Sequence, residues 1–110
     1  MGISTHILDT TRGRPAAAVG VALEREVDGV WRPVGVGTTD PDGRVKGLLE
    51  GQPPVGTYRI TFAVDAYFQR LDVEGFYPQV SIAFHVRSST EHYHVPLLLN
   101  PFGYSTYRGS

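Results

Sequence analysis

The sequence predicts an all-β fold, a two-sheet sandwich of about eight strands with one short helix. Three observations carry this. Glycine and proline, 13 and 8 residues respectively, are spread along the chain and cut it into short pieces. Several pieces alternate apolar and polar residues at the period of a half-buried strand, most cleanly at Tyr58, Ile60, Phe62 and Val64. Turn-forming clusters recur at intervals of roughly 8–15 residues.

Taken in order, Ile3 to Leu8 is the first strand, with Ile3, Thr5 and Ile7 on one face and Ser4, His6 and Leu8 on the other. Asp9 to Pro15 is a turn-rich loop, and Asp9 and Thr10 are placed to cap the strand end. Ala16-Ala17-Ala18 leads into a strand carrying Val19, Val21 and Leu23, with Glu24 and Glu26 on its other face. Asp28-Gly29 has hairpin composition. Val30 to Thr38 reads as the returning strand, with Val30, Val34 and Val36 sharing a face and Trp31 opposite. Thr39 to Gly43 is a second turn, where Gly43 supplies backbone freedom and Arg44 follows at once. Lys46 to Gly56 reads as irregular, because Pro53-Pro54 cannot continue a ladder.

After the Tyr58 to Val64 strand, Asp65 to Asp72 is the one helix candidate, with Asp65 as N-cap and Ala66 to Leu71 as a short amphipathic stretch. Gly75 and Pro78 end it. Val80, Ile82, Phe84 and Val86 then alternate against Ser81, His85 and Arg87. His92 to Leu99 is the penultimate strand, Asn100-Pro101 turns the chain, and Tyr104 to Arg108 is the last strand. Tyrosine and threonine favour a pleated, half-buried surface, so the tail is expected to be tied into a sheet. That would hold Arg108 and Ser110 at a fixed spot, with Gly109 providing the bend; the ordinary alternative is an edge strand with a solvated tail.

The 110 residues make one domain, 1–110, with no repeat, linker or low-complexity segment. A domain of this size buries about 65% of its unfolded surface, enough for one core. Hydrophobic residues are 41% and charged residues 19%, ordinary for a soluble globular protein. The net charge of -1 offers nothing to attract nucleic acid or an anionic membrane. The lack of cysteine excludes disulfides, thiolate metal sites and cysteine nucleophiles. No stretch approaches the ~20 apolar residues of a membrane span. No basic segment followed by an apolar run opens the chain, and no peroxisomal tripeptide closes it, so a cytoplasmic location is expected.

Four histidines are present: His6, His85, His92 and His94. Strand spacing puts His92 and His94 on one face and Tyr93, Val95 and Leu97 on the other. Two histidines so spaced, with a third from elsewhere, can form a three-histidine zinc site, although no carboxylate pattern stands by to orient the rings. They can equally be partly exposed strand residues with no chemical role. Arg44, held just after a tight turn, is either a solvated surface arginine or a donor fork facing an anion or a developing oxyanion.

Three stretches carry a resemblance. Ser4-Thr5-His6-Ile7-Leu8-Asp9-Thr10 with Gly13-Arg14-Pro15-Ala16, then Glu91-His92-Tyr93-His94-Val95-Pro96-Leu97-Leu98, then Tyr104 to Ser110 are similar to the motifs of the 5-hydroxyisourate hydrolases, the transthyretin-related enzymes of purine degradation. The likeness runs from Ile3 to Ser110, in the right order. It implies a transthyretin-like (prealbumin-like) sandwich. It also implies hydrolysis of 5-hydroxyisourate to 2-oxo-4-hydroxy-4-carboxy-5-ureidoimidazoline in urate degradation, with no metal or organic cofactor.

Carried over by position, His6, Arg44, His94 and Ser110 are the implied catalytic set, and Tyr107, Arg108 and Gly109 belong to the wall of the site. His92 is expected to support binding without reacting. His6 and His94, with the Ser110 hydroxyl or carboxylate, would position and activate a water, since an ordinary imidazole pKa of ~6.5 leaves much of it neutral at pH 7. Arg44 would stabilise the oxyanion. Which histidine acts as base stays open. The resemblance further implies a homotetramer, a dimer of dimers joined edge to edge, with active sites in the channel where dimers meet. The apolar-rich Tyr93 to Leu99 and Tyr104 to Tyr107 segments suit such covered edges; the alternative is that they cover this chain's own core. The alternative on the same fold is a non-catalytic transthyretin-like carrier of a small, hormone-type molecule, which would want an apolar channel where His6, Arg44, His94 and the tail make a polar one.

Overall fold

The computed structural model describes residues 2–110. Alternation sorts them into two sheets. At the centre of the first is β1 (Gly2–Asp9), which pairs antiparallel with β2 (Arg14–Pro15) and with β5 (Arg44–Glu50) on one side. On its other side it runs parallel to β8 (Tyr93–Asn100), and β8 pairs antiparallel with β9 (Gly103–Thr106) at the sheet edge. The second sheet is antiparallel throughout, in the order β4 (Val30–Thr38), β3 (Gly20–Val27), β6 (Gly56–Phe62), β7 (Val80–Val86). Among the described residues a single helix, α1 (Val64–Arg70), follows β6.

The facing sides make the core. Ile3, Ile7 and Leu97 from the first sheet meet Val21, Leu23, Tyr58, Ile60 and Phe62 from the second, all fully buried. Each large apolar side chain removed from water contributes about 1.5–3 kcal/mol. The expected inward face of β1 is therefore the observed one, and Thr5 joins it by donating to the Val95 carbonyl at 2.6 Å. The other face of β1, with Ser4 and His6, is turned to the outside of the sandwich.

Three sequence expectations are corrected. The stretch from Lys46, read as irregular, continues the β5 strand to Glu50, and Leu48 is buried in the core. Pro53-Pro54 interrupts the ladder only after the strand has ended, and a register shift between Ile3 and Thr5 absorbs the irregularity. In β4 the shared face of Val30, Val34 and Val36 does not hold. Leu23 pairs with Gly35 and Glu24 with Pro33, so Val34 is an extra residue and parity flips there. Val30 and Val36 consequently lie on opposite faces, both exposed. The helix begins at Val64 with Ala63 at its N-cap and no side-chain cap. Asp65 lies within the first turn, where its charge complements the helix dipole and its carboxylate accepts from Gln69 Nε2 at 3.1 Å.

Asp9 and Thr10 do tie down the end of β1. Asp9 Oδ1 accepts from the backbone N–H groups of Thr11 and Arg12, and Asp9 Oδ2 accepts from the buried Tyr67 hydroxyl of α1 at 2.7 Å. Thr10 donates to the Leu99 carbonyl. Among the described residues no helix is long and apolar enough to cross a membrane.

Candidate active site

Three strands running side by side bring the polar residues together on the outer face of the first sheet. Ser4 of β1 is paired with His94 of β8, and His6 of β1 with Arg44 of β5. An open cleft of about 460 Å³ lies here, lined by Ser4, Thr5, Arg44, Lys46, His92, His94 and Ser110. That volume suits a small molecule.

Arg44 is delivered by the turn before it. Asp40 Oδ1 accepts from the N–H groups of Asp42 and Arg44, and the Gly43 N–H donates to the Asp40 carbonyl. Those bonds hold the Asp40 carboxyl below its ordinary value, the Arg44 N–H being the largest cause. Gly43 sits at φ 73, and a Cβ there would lie 2.5 Å from the Ile7 carbonyl oxygen, so only glycine lets the turn press against β1. The Ile7 N–H to Gly43 carbonyl bond of 2.8 Å is the result, and it fixes Arg44 beside His6.

His94 is positioned from two sides. The Ser4 hydroxyl oxygen lies 2.8 Å from His94 Nδ1 and 2.9 Å from His92 Nε2. On the other side the tail crosses the ring: the Gly109 N–H donates to the His94 carbonyl at 2.8 Å. A Cβ at Gly109 would stand 2.6 Å from His94 Cδ2, so the crossing needs a residue without a side chain. Ser110 then enters the cleft.

The electrostatics favour neutral imidazoles. Burial and then the Arg44 charge push the His94 pKa below its ordinary 6.5, with His6 and His92 adding to the effect. His6 is lowered in the same way, by burial and then Arg44, against partial opposition from the Asp42 backbone and the Asp40 and Asp42 carboxylates. A neutral ring nitrogen near a guanidinium can take a proton from water while the guanidinium faces developing negative charge.

Of the residues marked in the sequence, Arg44, His92, His94 and Ser110 line the cleft. His6 stands beside it through its pairing with Arg44, and Gly109 packs on His94. Tyr107 and Arg108 lie on the other side of the tail, along a smaller cavity shared with Phe84 and Tyr93. There the Arg108 guanidinium sits 4.5 Å over the Tyr93 ring and donates to Glu91 Oε1 and the His92 carbonyl. Sequence reasoning missed Ser4, Thr5 and Lys46 as lining residues. Strand parity carried the signal for two of them: Ser4 precedes His6 by two residues and Lys46 follows Arg44 by two. Among the described residues, no three histidine or carboxylate side chains form a group that could hold a metal ion.

Comparison with known proteins agrees with this architecture. The family model described as HIUase/Transthyretin matches residues 3–109. A 5-hydroxyisourate hydrolase of Salmonella dublin is 46% identical over 98% of this chain and 80% of its own length. The structure of Klebsiella pneumoniae 5-hydroxyisourate hydrolase superposes with a TM-score of 0.87 at 36% identity, covering 98% of both chains. Sea bream transthyretin, solved in complex with thyroxine, superposes with a TM-score of 0.91 at 31% identity over 97% of this chain and 93% of that one. The two-sheet architecture and this likeness along nearly the whole length mean that the chain belongs to the HIUase/Transthyretin family.

Proposed function

We propose that the protein is a 5-hydroxyisourate hydrolase acting in urate degradation. The observation that carries this reading is the presence, in one small cleft, of a His94 imidazole kept neutral together with the Arg44 guanidinium. In this reading His94 or His6 takes a proton from a water held near the Ser110 hydroxyl. The resulting hydroxide adds to the ring carbonyl of the cyclic amide. Arg44, with Lys46 beside it, stabilises the tetrahedral oxyanion. Collapse breaks the carbonyl carbon–nitrogen bond, the freed nitrogen takes a proton from the imidazolium, and the carbonyl carbon leaves as a carboxylic acid that releases its proton to solvent to become the carboxylate. Atoms balance with one water consumed, and neither a metal nor an organic cofactor takes part. His92 supports His94, while Tyr107, Arg108 and Gly109 form the tail wall that carries Ser110 into place.

The assembly belongs to the same proposal: a homotetramer, a dimer of dimers joined through the unpaired β7 and β9 edges, with active sites along the channel between dimers, working in the cytoplasm. A non-catalytic carrier is the second reading, because the transthyretin that superposes on this chain was solved with thyroxine. A cleft lined by two cations and two imidazoles speaks against it, since an apolar ligand would gain little there.

The test is to make 5-hydroxyisourate in place from urate and urate oxidase and follow the decay of its ultraviolet absorbance. The expected result is fast decay with the protein, unchanged by a chelator, and a loss of about 100-fold or more in each of His6→Ala, Arg44→Ala and His94→Ala. Decay no faster than the uncatalysed rate would end the hydrolase reading. Activity that needs a metal would return the three-histidine site to consideration.

A further inference from the structure

A hydroxyl group has a single proton, yet the Ser4 hydroxyl oxygen stands at hydrogen-bond distance from two imidazole nitrogens, 2.9 Å from His92 Nε2 and 2.8 Å from His94 Nδ1. It can donate to one of them only. For both bonds to exist with neutral rings, one imidazole must present N–H to Ser4 and the other a lone pair. The tautomers of His92 and His94 are thereby coupled through one side chain. Ser4 is buried on a central strand, in register with His94, so this is a built contact and not a chance meeting of surface groups.

We propose that Ser4 is a positioning residue for His94: it holds His94 in the Nδ1–H form, which leaves Nε2 as the basic nitrogen, and it links His94 to His92 as a proton relay. In the resting arrangement His94 Nδ1–H donates to the Ser4 oxygen, and the Ser4 O–H donates to His92 Nε2. When His94 Nε2 takes a proton, the Nδ1 proton passes to Ser4 as the Ser4 proton passes to His92. One proton enters, no other bond breaks, and the positive charge moves to His92. That displacement is favourable for a specific reason. The side chains around His94 that are cationic or can become so are Arg44 and Lys46 on β5, His6 on β1 and His92 itself, beside the uncharged Ser4, Thr5 and Ser110 side chains, and Ser110 also carries the terminal carboxylate. A charge left on His94 sits against the Arg44 guanidinium, whereas His92 is solvent-exposed and can be hydrated. Reversing the two transfers puts the charge back on His94, and its Nε2 proton then passes to the leaving nitrogen, which leaves the ring neutral in the Nδ1–H form.

The relay rests on the hydrolase reading, but its first test does not. Nitrogen-15 NMR of ring-labelled protein reports which imidazole nitrogen carries the proton. The expected wild-type result is a protonated Nδ1 and an unprotonated Nε2 at His94. In Ser4→Ala that preference is lost and the titration midpoint of His94 moves, while in Ser4→Thr, which keeps a hydroxyl, both are restored. In the hydrolysis assay Ser4→Ala should lower kcat about 10- to 100-fold with KM within about twofold, and Ser4→Thr should recover most of it. Thermal unfolding of the three proteins separates this from misfolding. A His94 that carries its proton on Nε2 in the wild type would overturn the proposal. So would a Ser4→Ala variant with unchanged ring-nitrogen shifts. If the wild type proves inactive on 5-hydroxyisourate, the NMR outcome still decides the coupling, and the hydrolase reading fails separately.

Discussion

Burial first and the Arg44 charge second hold His94 and His6 below the ordinary imidazole range, with His6 and His92 adding to the effect at His94, and the shift has measurable consequences. The base form of a histidine is the neutral one, so a lowered pKa keeps the base available as the solution becomes acidic. The acid limb of kcat/KM for hydrolysis is therefore expected below pH 6.5. Arg44→Ala removes the largest cause after burial, so the limb of the residual activity should move up toward 6.5. A limb at or above 6.5 in the wild type, or one that stays put in the variant, would remove the Arg44–histidine coupling from the mechanism. Stability has the same sign. Both groups titrate lower folded than unfolded, so in the window beneath 6.5 the unfolded chain binds more protons and stability falls with falling pH. Above 6.5 their contribution is fully present.

At the scale of elements, the site exists because β1 lies between a parallel and an antiparallel neighbour, so β5 and β8 present their polar faces side by side. The turn between β4 and β5 sets the height of Arg44, and Asp40 holds that turn through its two backbone acceptor bonds. Asp40→Ala should raise KM about 3- to 10-fold with a smaller change in kcat, while Asp40→Asn, which keeps the acceptor oxygen, should stay near wild type. Equal losses in both variants would mean that the charge, not the turn, matters. Much of this was legible in the sequence: the alternation of β1, β6 and β7, the turns at Asp28-Gly29 and Asp40 to Gly43, and the two histidines on one face of β8. What was hidden has physical causes. A bulge at Val34 reverses parity without altering composition. The double proline obscured β5, and Lys46 was lost with it. Ser4 looked like an ordinary outward serine, because its meaning depends on a strand some ninety residues away.

The whole molecule leaves apolar surface where a lone sandwich has no use for it. Phe102 at the β8–β9 turn is 65% exposed and Tyr107 57%, with Tyr104 on the β9 edge also open to solvent. Tyr107 belongs to the tail that carries Ser110 to the cleft, so covering it would also steady the tail, while Phe102 stands at the far end of β9. Unpaired edges with aromatic residues are a liability for a monomer and an asset for a closed oligomer. If four 12.1 kDa chains associate through these edges, light scattering will report a tetramer at micromolar concentration. Phe102→Asp, which places a charge on the exposed ring position, should shift the mass toward dimer or monomer while circular dichroism remains that of a β-sandwich. Hydrolysis should fall with the loss of the larger species and recover as concentration is raised. A wild-type chain that is monomeric and fully active would show the cleft to be complete within one chain, and the apolar tip would then need a different partner.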